Sequence, residues 1–248
     1  MTEEDSSLST TGLLADARDR LAANPAASVA LLLAGALVAG ADWYLLRSPV
    51  PTAGYEGIQD GRVTVAFEFV VSVVSRATVP PSALLHLKSR WLATAVGLEL
   101  VAFLAVVAAS AFALSRLLET RLTLPALARY GLVAALLGVG VGRVDFEGGA
   151  VLIGIPLIVA FLVVTVRLVP FPGRLVLGES VGTALRRSWT ETRGHGWSLF
   201  GVVLVVGLAN HLLASAPLAG PVGSGAMAAV HAGVVAAVIR RTGGETQL

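Results

Sequence analysis

The sequence predicts an all-α polytopic transmembrane helix bundle of six spans, with seven as the alternative count and with interfacial amphipathic helices. Three observations predict it. Of 248 residues, 55% are hydrophobic and only 14% are charged, where an average soluble domain carries about 25% charged residues. Mean hydropathy is +0.80, and apolar runs of roughly 20 residues, the length that crosses a bilayer, recur along the chain. The charges collect in the short segments between those runs. So few charges cannot cover a water-facing surface, which excludes a soluble enzyme and a disordered chain. The chain has no Cys, which excludes a disulfide scaffold, thiolate catalysis and cysteine metal sites. A net charge of +2 does not argue for nucleic acid as a partner.

The elements follow in order. Residues 8–24 read as an amphipathic lead-in. Leu8, Leu13, Leu14, Ala17 and Leu21 recur at helical spacing, and Asp16, Arg18, Asp19 and Arg20 fill the other face. Such a helix is expected on the membrane surface. Asn24-Pro25 ends it, and Ala26–Leu46 forms the first span. The acidic leader and the length of this run argue for a retained span rather than a cleaved signal. Asp42, near the end of the span, is expected to reach the interface. Residues 47–62 form a Pro- and Gly-broken loop. Val63–Val79 reads as a second span, although it carries Glu68 and Arg76, and Pro80-Pro81 interrupts it. Ser82–Leu118 is a long third helix with polar first turns.

Ala126–Gly142 is apolar but short and Gly-rich, either a span or a re-entrant piece. Arg143–Gly149 is a turn. Ala150–Val169 spans, and Pro170-Phe171-Pro172-Gly173 ends it. Residues 179–193 form a second surface helix, with Ser180 as its N-cap and Val181, Leu185 and Trp189 on one face. Gly194-His195-Gly196 breaks it. Trp197–Ala214 and Val222–Ile239 are the last two spans, joined by an uncharged turn. The chain thus divides into a lead-in over 1–25, one transmembrane domain over 26–241 and a short tail over 242–248. If all seven runs span, the positive-inside rule puts the N-terminus outside, with roughly twelve cytoplasmic Lys/Arg against about five. If Ala126–Gly142 is re-entrant, six spans leave both ends inside, with roughly eleven against six.

The stretch Val166–Leu208 carries Arg167, Pro170, Pro172, Glu179, the run Ala184-Leu185-Arg186-Arg187-Ser188-Trp189, then Thr192-Arg193-Gly194 and Trp197. It resembles the membrane domain of glycerophosphodiester phosphodiesterase-like and related polytopic membrane proteins. The match covers about 40 residues, and Pro81–Leu92 looks like a weaker copy of the surface helix. The resemblance implies six spans with both ends in the cytoplasm. It does not carry the phosphodiesterase reaction, which belongs to a separate soluble domain with clustered carboxylates and His. It implies an accessory, non-catalytic membrane module.

Three groups of residues could carry function. Arg186, Arg187, Trp189, Arg193 and Trp197 could hold anionic lipid headgroups or a protein partner. They equally suit an ordinary interfacial helix with Trp anchors. His211 and His231 lie ten residues either side of Pro221, which would set them at one depth, beside Asn210. They read as a proton relay or a two-His metal ligand pair, weak for want of a carboxylate on the same hairpin, or as interhelical hydrogen bonds. Glu68, Arg76 and Glu99 lie at membrane depth, Arg76 and Glu99 reading as a buried pair or as part of a polar path. Gly35, Gly40, Gly131 and Gly201 read as close-packing positions rather than phosphate cradles. No cofactor, metal site or catalytic constellation is visible. The expected protein is a multi-pass cell-membrane protein, non-enzymatic, interacting with lipid, organising a partner or forming a homo-oligomer. A small transporter or channel is the second expectation, and an intramembrane enzyme the third.

Overall fold

The structure, a computed structural model, describes residues 8–54, 58–59, 62–66, 71, 73, 77–140, 143–147, 151–216 and 219–244. The chain begins with α1 (Thr10–Ala23) and α2 (Pro25–Arg47). Strands β1 (Ala53–Gly54), β2 (Ile58–Gln59), β3 (Arg62–Ala66) and β4 (Ala77–Thr78) follow, then the single turn α3 (Pro81–Leu84). Helices α4 (Ser89–Leu117) and α5 (Leu124–Gly140) come next, then β5 (Arg143–Glu147). The chain continues through α6 (Val151–Arg167), α7 (Phe171–Val176), α8 (Val181–Glu191), α9 (Gly196–Ala214) and α10 (Gly220–Gly244). It is an all-α bundle with a minor strand annex. β1 pairs with β4, and β2, β3 and β5 form a three-stranded antiparallel sheet.

Among the described residues, five stretches are long and apolar enough to cross a membrane: Pro25–Arg47, Ser89–Leu117, Ile158–Val176, Gly196–Ala214 and Gly220–Gly243. The chain is an integral, multi-pass membrane protein. The 17-residue α5 is the shorter, sixth apolar helix. Its first turns hold Arg129, which hydrogen-bonds the chain just before α8. Its last turn leads into β5, which pairs with β3 in the segment between α2 and α4. The two ends of α5 therefore lie at opposite rims. The six apolar helices alternate in direction between an arginine rim and a strand rim. The arginine rim holds the start of α1, the α4–α5 turn, α7, α8 and the end of α10. Aromatic–cation stacks mark the strand rim: Arg47 lies 4.2 Å from the Trp43 ring centre and Arg90 lies 4.4 Å from that of Trp91.

The core is built around α10, which touches α1, α2, α4, α7 and α9. Its residues 232–239 are all buried. Small residues permit this. A Cβ on Gly225 would sit 2.7 Å from the Leu31 carbonyl oxygen of α2, and one on Gly233 would sit 3.0 Å from Ala17 of α1. Between membrane helices, where lipid supplies no hydrophobic drive, such close approach is the main source of attraction. Gly35 packs on Pro221 as expected, Gly131 on Val107 and Gly201 on Thr10, whereas Gly40 faces open space. The outer faces carry Leu33, Leu136 and Leu212, each about 60% exposed, as lipid-facing helices require.

Five expectations change. The N-terminal helix is docked rather than resting on the surface. Leu13 and Ala17 are fully buried against α10 and α9, and the Thr10 hydroxyl donates to the Ser198 carbonyl at 2.9 Å. The Val63–Val79 run is not a spanning helix, since its described parts are β3, the buried Val71 and Val73, and β4. Seven of its 17 residues are Val and two are Thr, and β-branched side chains favour extended backbone. The apolar run read over 126–142 is described as far as Gly140, and α5 runs from rim to rim instead of re-entering. The six-span count therefore stands with a different run removed. Asp42, expected at the interface, is only 6% exposed. The long helix starts at Ser89, not Ser82, because α3 and a turn precede it.

Val71 lies inside the bundle. The Val71 carbonyl accepts the Ser110 hydroxyl at 2.6 Å and the Tyr130 hydroxyl at 3.4 Å, and Ser110 and Tyr130 are both fully buried. Irregular backbone at membrane depth is tolerated only where protein surrounds it and its polar groups are paired. Both hydroxyls lie near the arginine-rim ends of α4 and α5, so Val71 lies well inside.

Candidate functional site at the arginine rim

The chain between α6 and α9 folds into an elbow. Arg167 ends α6, and Pro170 leads into α7. All six residues of α7 are buried, against α10, α5, α4 and α8. Gly173 allows this wedge, because a Cβ there would lie 2.9 Å from Val235 and closer still to Ile239. Gly178, at φ +92°, turns the chain back so that Glu179 faces Arg174. Ser180 caps α8, its hydroxyl oxygen accepting from the Thr183 amide at 3.3 Å. Gly194, at φ +85°, stops the chain after α8.

Arg174 is only 7% exposed. Its guanidinium meets the Glu179 carboxylate at 3.3 Å and pairs with Glu191. Glu179 also takes Arg187 at 2.8 Å, and its carbonyl accepts from Arg129 at 2.9 Å. Taking charges out of water costs several kcal/mol per ion, and only close pairing offsets it. The cluster therefore fixes the angle of α8 against the bundle. Arg174 Nε, Glu179 Oε2, Glu191 Oε2 and the fully buried Ser188 Oγ make no hydrogen bond among the described residues.

The α8 helix presents three faces. Ala184 and Ser188 are buried against the protein. Val181, Leu185 and Trp189 form an apolar stripe, each about 40% exposed. Arg186 and Arg193 are exposed, and Arg187 reaches outward beyond its contact with Glu179. Arg167 stands 5.8 Å from the Trp189 ring centre, and Trp197 is 87% exposed at the start of α9. A hollow of about 410 Å³ at the start of α8 is lined by Ser180, Gly182, Thr183, Arg186 and Arg187. The five residues expected to act together therefore do lie together, around one elbow.

The rest of the rim is cationic too. Arg18, Arg20, Arg116, Arg121, Arg129, Arg240 and Arg241 join Arg167, Arg174, Arg186, Arg187 and Arg193, twelve of the 17 arginines. Arg241 pairs with Asp16 at 2.8 Å and Arg240 with Glu119 at 2.5 Å, closing α1 and α4 onto the end of α10. Burial, and next Arg240, pushes the Arg20 guanidinium below its usual range, while Asp16 and Glu119 act the other way.

The intramembrane candidates do not converge. Leu213 lies against Gly223, so the α9–α10 hairpin folds about its 214–220 turn and not about Pro221, which sits in the first turn of α10. His211 then faces the level of residue 225, six residues or about 9 Å from His231 along the axis. The expected equal depth of the two His is not found. His211 is exposed near the end of α9, and Asn210 and His231 are half-buried. Glu99 is exposed on α4, and its carboxylate accepts from the Val79 amide at 3.4 Å. Glu68 and Arg76 lie outside the described residues. Among the described residues no group of three or more His, Asp or Glu is placed to hold a metal ion.

Sequence reasoning missed Arg174 as the centre of the elbow, with Glu179 and Glu191 as its partners. The available signal was a lone Arg inside the apolar run Pro170–Leu177, which must find carboxylates if the run is buried. No family model, curated protein or solved structure matches the chain.

Proposed function

We propose that the protein is a non-enzymatic membrane module that holds anionic lipid headgroups at its arginine rim through α8. The observation that carries this reading is the division of labour within the elbow. Glu179 and Glu191 are turned inward onto Arg174, and Arg186 and Arg193 are left outward beside Trp189 and Trp197. A basic face at the depth of Trp side chains is the arrangement that meets phosphate headgroups, at about 1 kcal/mol per cation. The planar guanidinium forks suit phosphate better than ammonium groups do. The same concentration of cations supports a cytoplasmic position for this rim in a cell membrane, by the positive-inside rule.

The test is lipid retention. The purified protein in phosphatidylcholine nanodiscs is expected to take up phosphatidylglycerol in preference, and to lose that preference roughly 10- to 30-fold in the Arg186→Glu/Arg193→Glu variant. Equal uptake by both proteins, read by lipid mass spectrometry, would sink the reading.

A further inference from the structure

A second feature lies on the other half of the bundle and does not depend on the lipid reading. Between α4 and α5, toward the strand rim, runs an open groove of about 510 Å³. Its walls are apolar: Val79, Leu84, Val96 and Leu100 on one side, Ala134 and Gly138 on the other. Glu99 is the one charged residue among those that line it. Eight residues separate Glu99 from Trp91, about 12 Å of helix, so the carboxylate lies well inside the hydrocarbon region if Trp91 marks the interface. An ionisable group at that depth is costly and is expected to have a partner. One carboxylate oxygen accepts the long Val79 bond, and no cation pairs with Glu99 among the described residues.

Phe103 also lines the groove, one helical turn from Glu99 on the same face of α4. A carboxylate beside an aromatic ring, within apolar walls, is the chemistry that recognises an organic cation. One carboxylate supplies too few ligands for a metal ion. The groove volume falls within the usual range for a small-molecule site.

We propose that this groove binds a lipophilic organic monocation that enters from the bilayer, with Glu99 as its counter-charge and Phe103 as its aromatic contact. The probe is tetraphenylphosphonium, added to the purified protein in phosphatidylcholine nanodiscs, with uptake into empty nanodiscs subtracted. Saturable binding is expected, with at least 10-fold preference over the equally sized tetraphenylborate anion. Glu99→Gln is expected to weaken it 10-fold or more and Phe103→Ala several-fold, whereas Arg186→Glu leaves it unchanged. The preference for the cation is read on the unaltered protein, so the test survives a variant that fails to fold. Three results would overturn the proposal. One is an affinity that Glu99→Gln does not change, the behaviour of a neutral acyl chain in the groove. Another is equal binding of cation and anion. The third is binding that appears only in Arg76→Gln, which would mean the chain's own cation occupies the carboxylate.

Discussion

Arg174 shows how a single buried charge sets the geometry of a surface helix. It sits in a six-residue turn with no exposed side chain and pairs with one oxygen of each of two carboxylates, from either end of α8. Removing one partner of such a cluster costs more than the cluster contributes, because the others are left buried and unpaired. Arg174→Met is therefore expected to destabilise the protein by about 3–5 kcal/mol. Adding Glu179→Gln and Glu191→Gln to it should recover much of that loss. Thermal unfolding in detergent reads both, and a single variant as stable as the parent would show that the cluster does not hold the elbow. At this scale the sequence was partly legible. The outward residues Arg186, Trp189 and Arg193 announce themselves by amphipathic spacing. The inward role of Glu179 and Glu191 does not, because spacing cannot tell a carboxylate that meets water from one turned onto an arginine five or 17 residues away.

At the scale of elements, helices written in Leu, Ala and Val at spanning length were legible throughout, and so was the Ser180 cap. Val63–Val79 was not. Hydropathy cannot distinguish an apolar segment that spans from one that enters as extended chain between helices. The difference lies in β-branched content and in whether neighbours supply hydroxyls for the freed backbone, as Ser110 and Tyr130 do for Val71. Packing of α10 was legible only as small-residue content, without the identity of its partners. Those partners now separate one glycine from another. Gly225→Val drives a side chain into the Leu31 carbonyl, so it should cost at least about 1–3 kcal/mol. Gly207→Ala, on an open face of α9, should be neutral or gain up to about 1 kcal/mol of helix propensity. A similar drop in unfolding temperature for both would mean that α2 and α10 are not in close contact.

At the scale of the whole molecule, the charge distribution bears on which way the bundle points. Six alternating helices put α1, the 118–123 turn, the α8 elbow and the end of α10 on one side, with twelve arginines. The other side has Arg47, Arg62, Lys88, Arg90 and Arg143 among the described residues. The alternatives differ at the α4–α5 turn. A re-entrant α5 would leave residues 121 and 193 on opposite sides of the membrane, whereas a traversing α5 brings them to the same side. The chain has no native Cys, so single substitutions give a clean reading. In intact cells, a membrane-impermeant maleimide should label Asp145→Cys and Thr52→Cys. It should leave Arg121→Cys and Arg193→Cys unlabelled until the membrane is opened. Labelling at 121 without labelling at 193 would return α5 to the re-entrant form. Labelling at both would turn the bundle over and set α8 against the outer leaflet, where the anionic cytoplasmic surface that attracts a basic helix is absent. The orientation therefore bears directly on the lipid reading, and labelling at residue 193, just after α8, decides it.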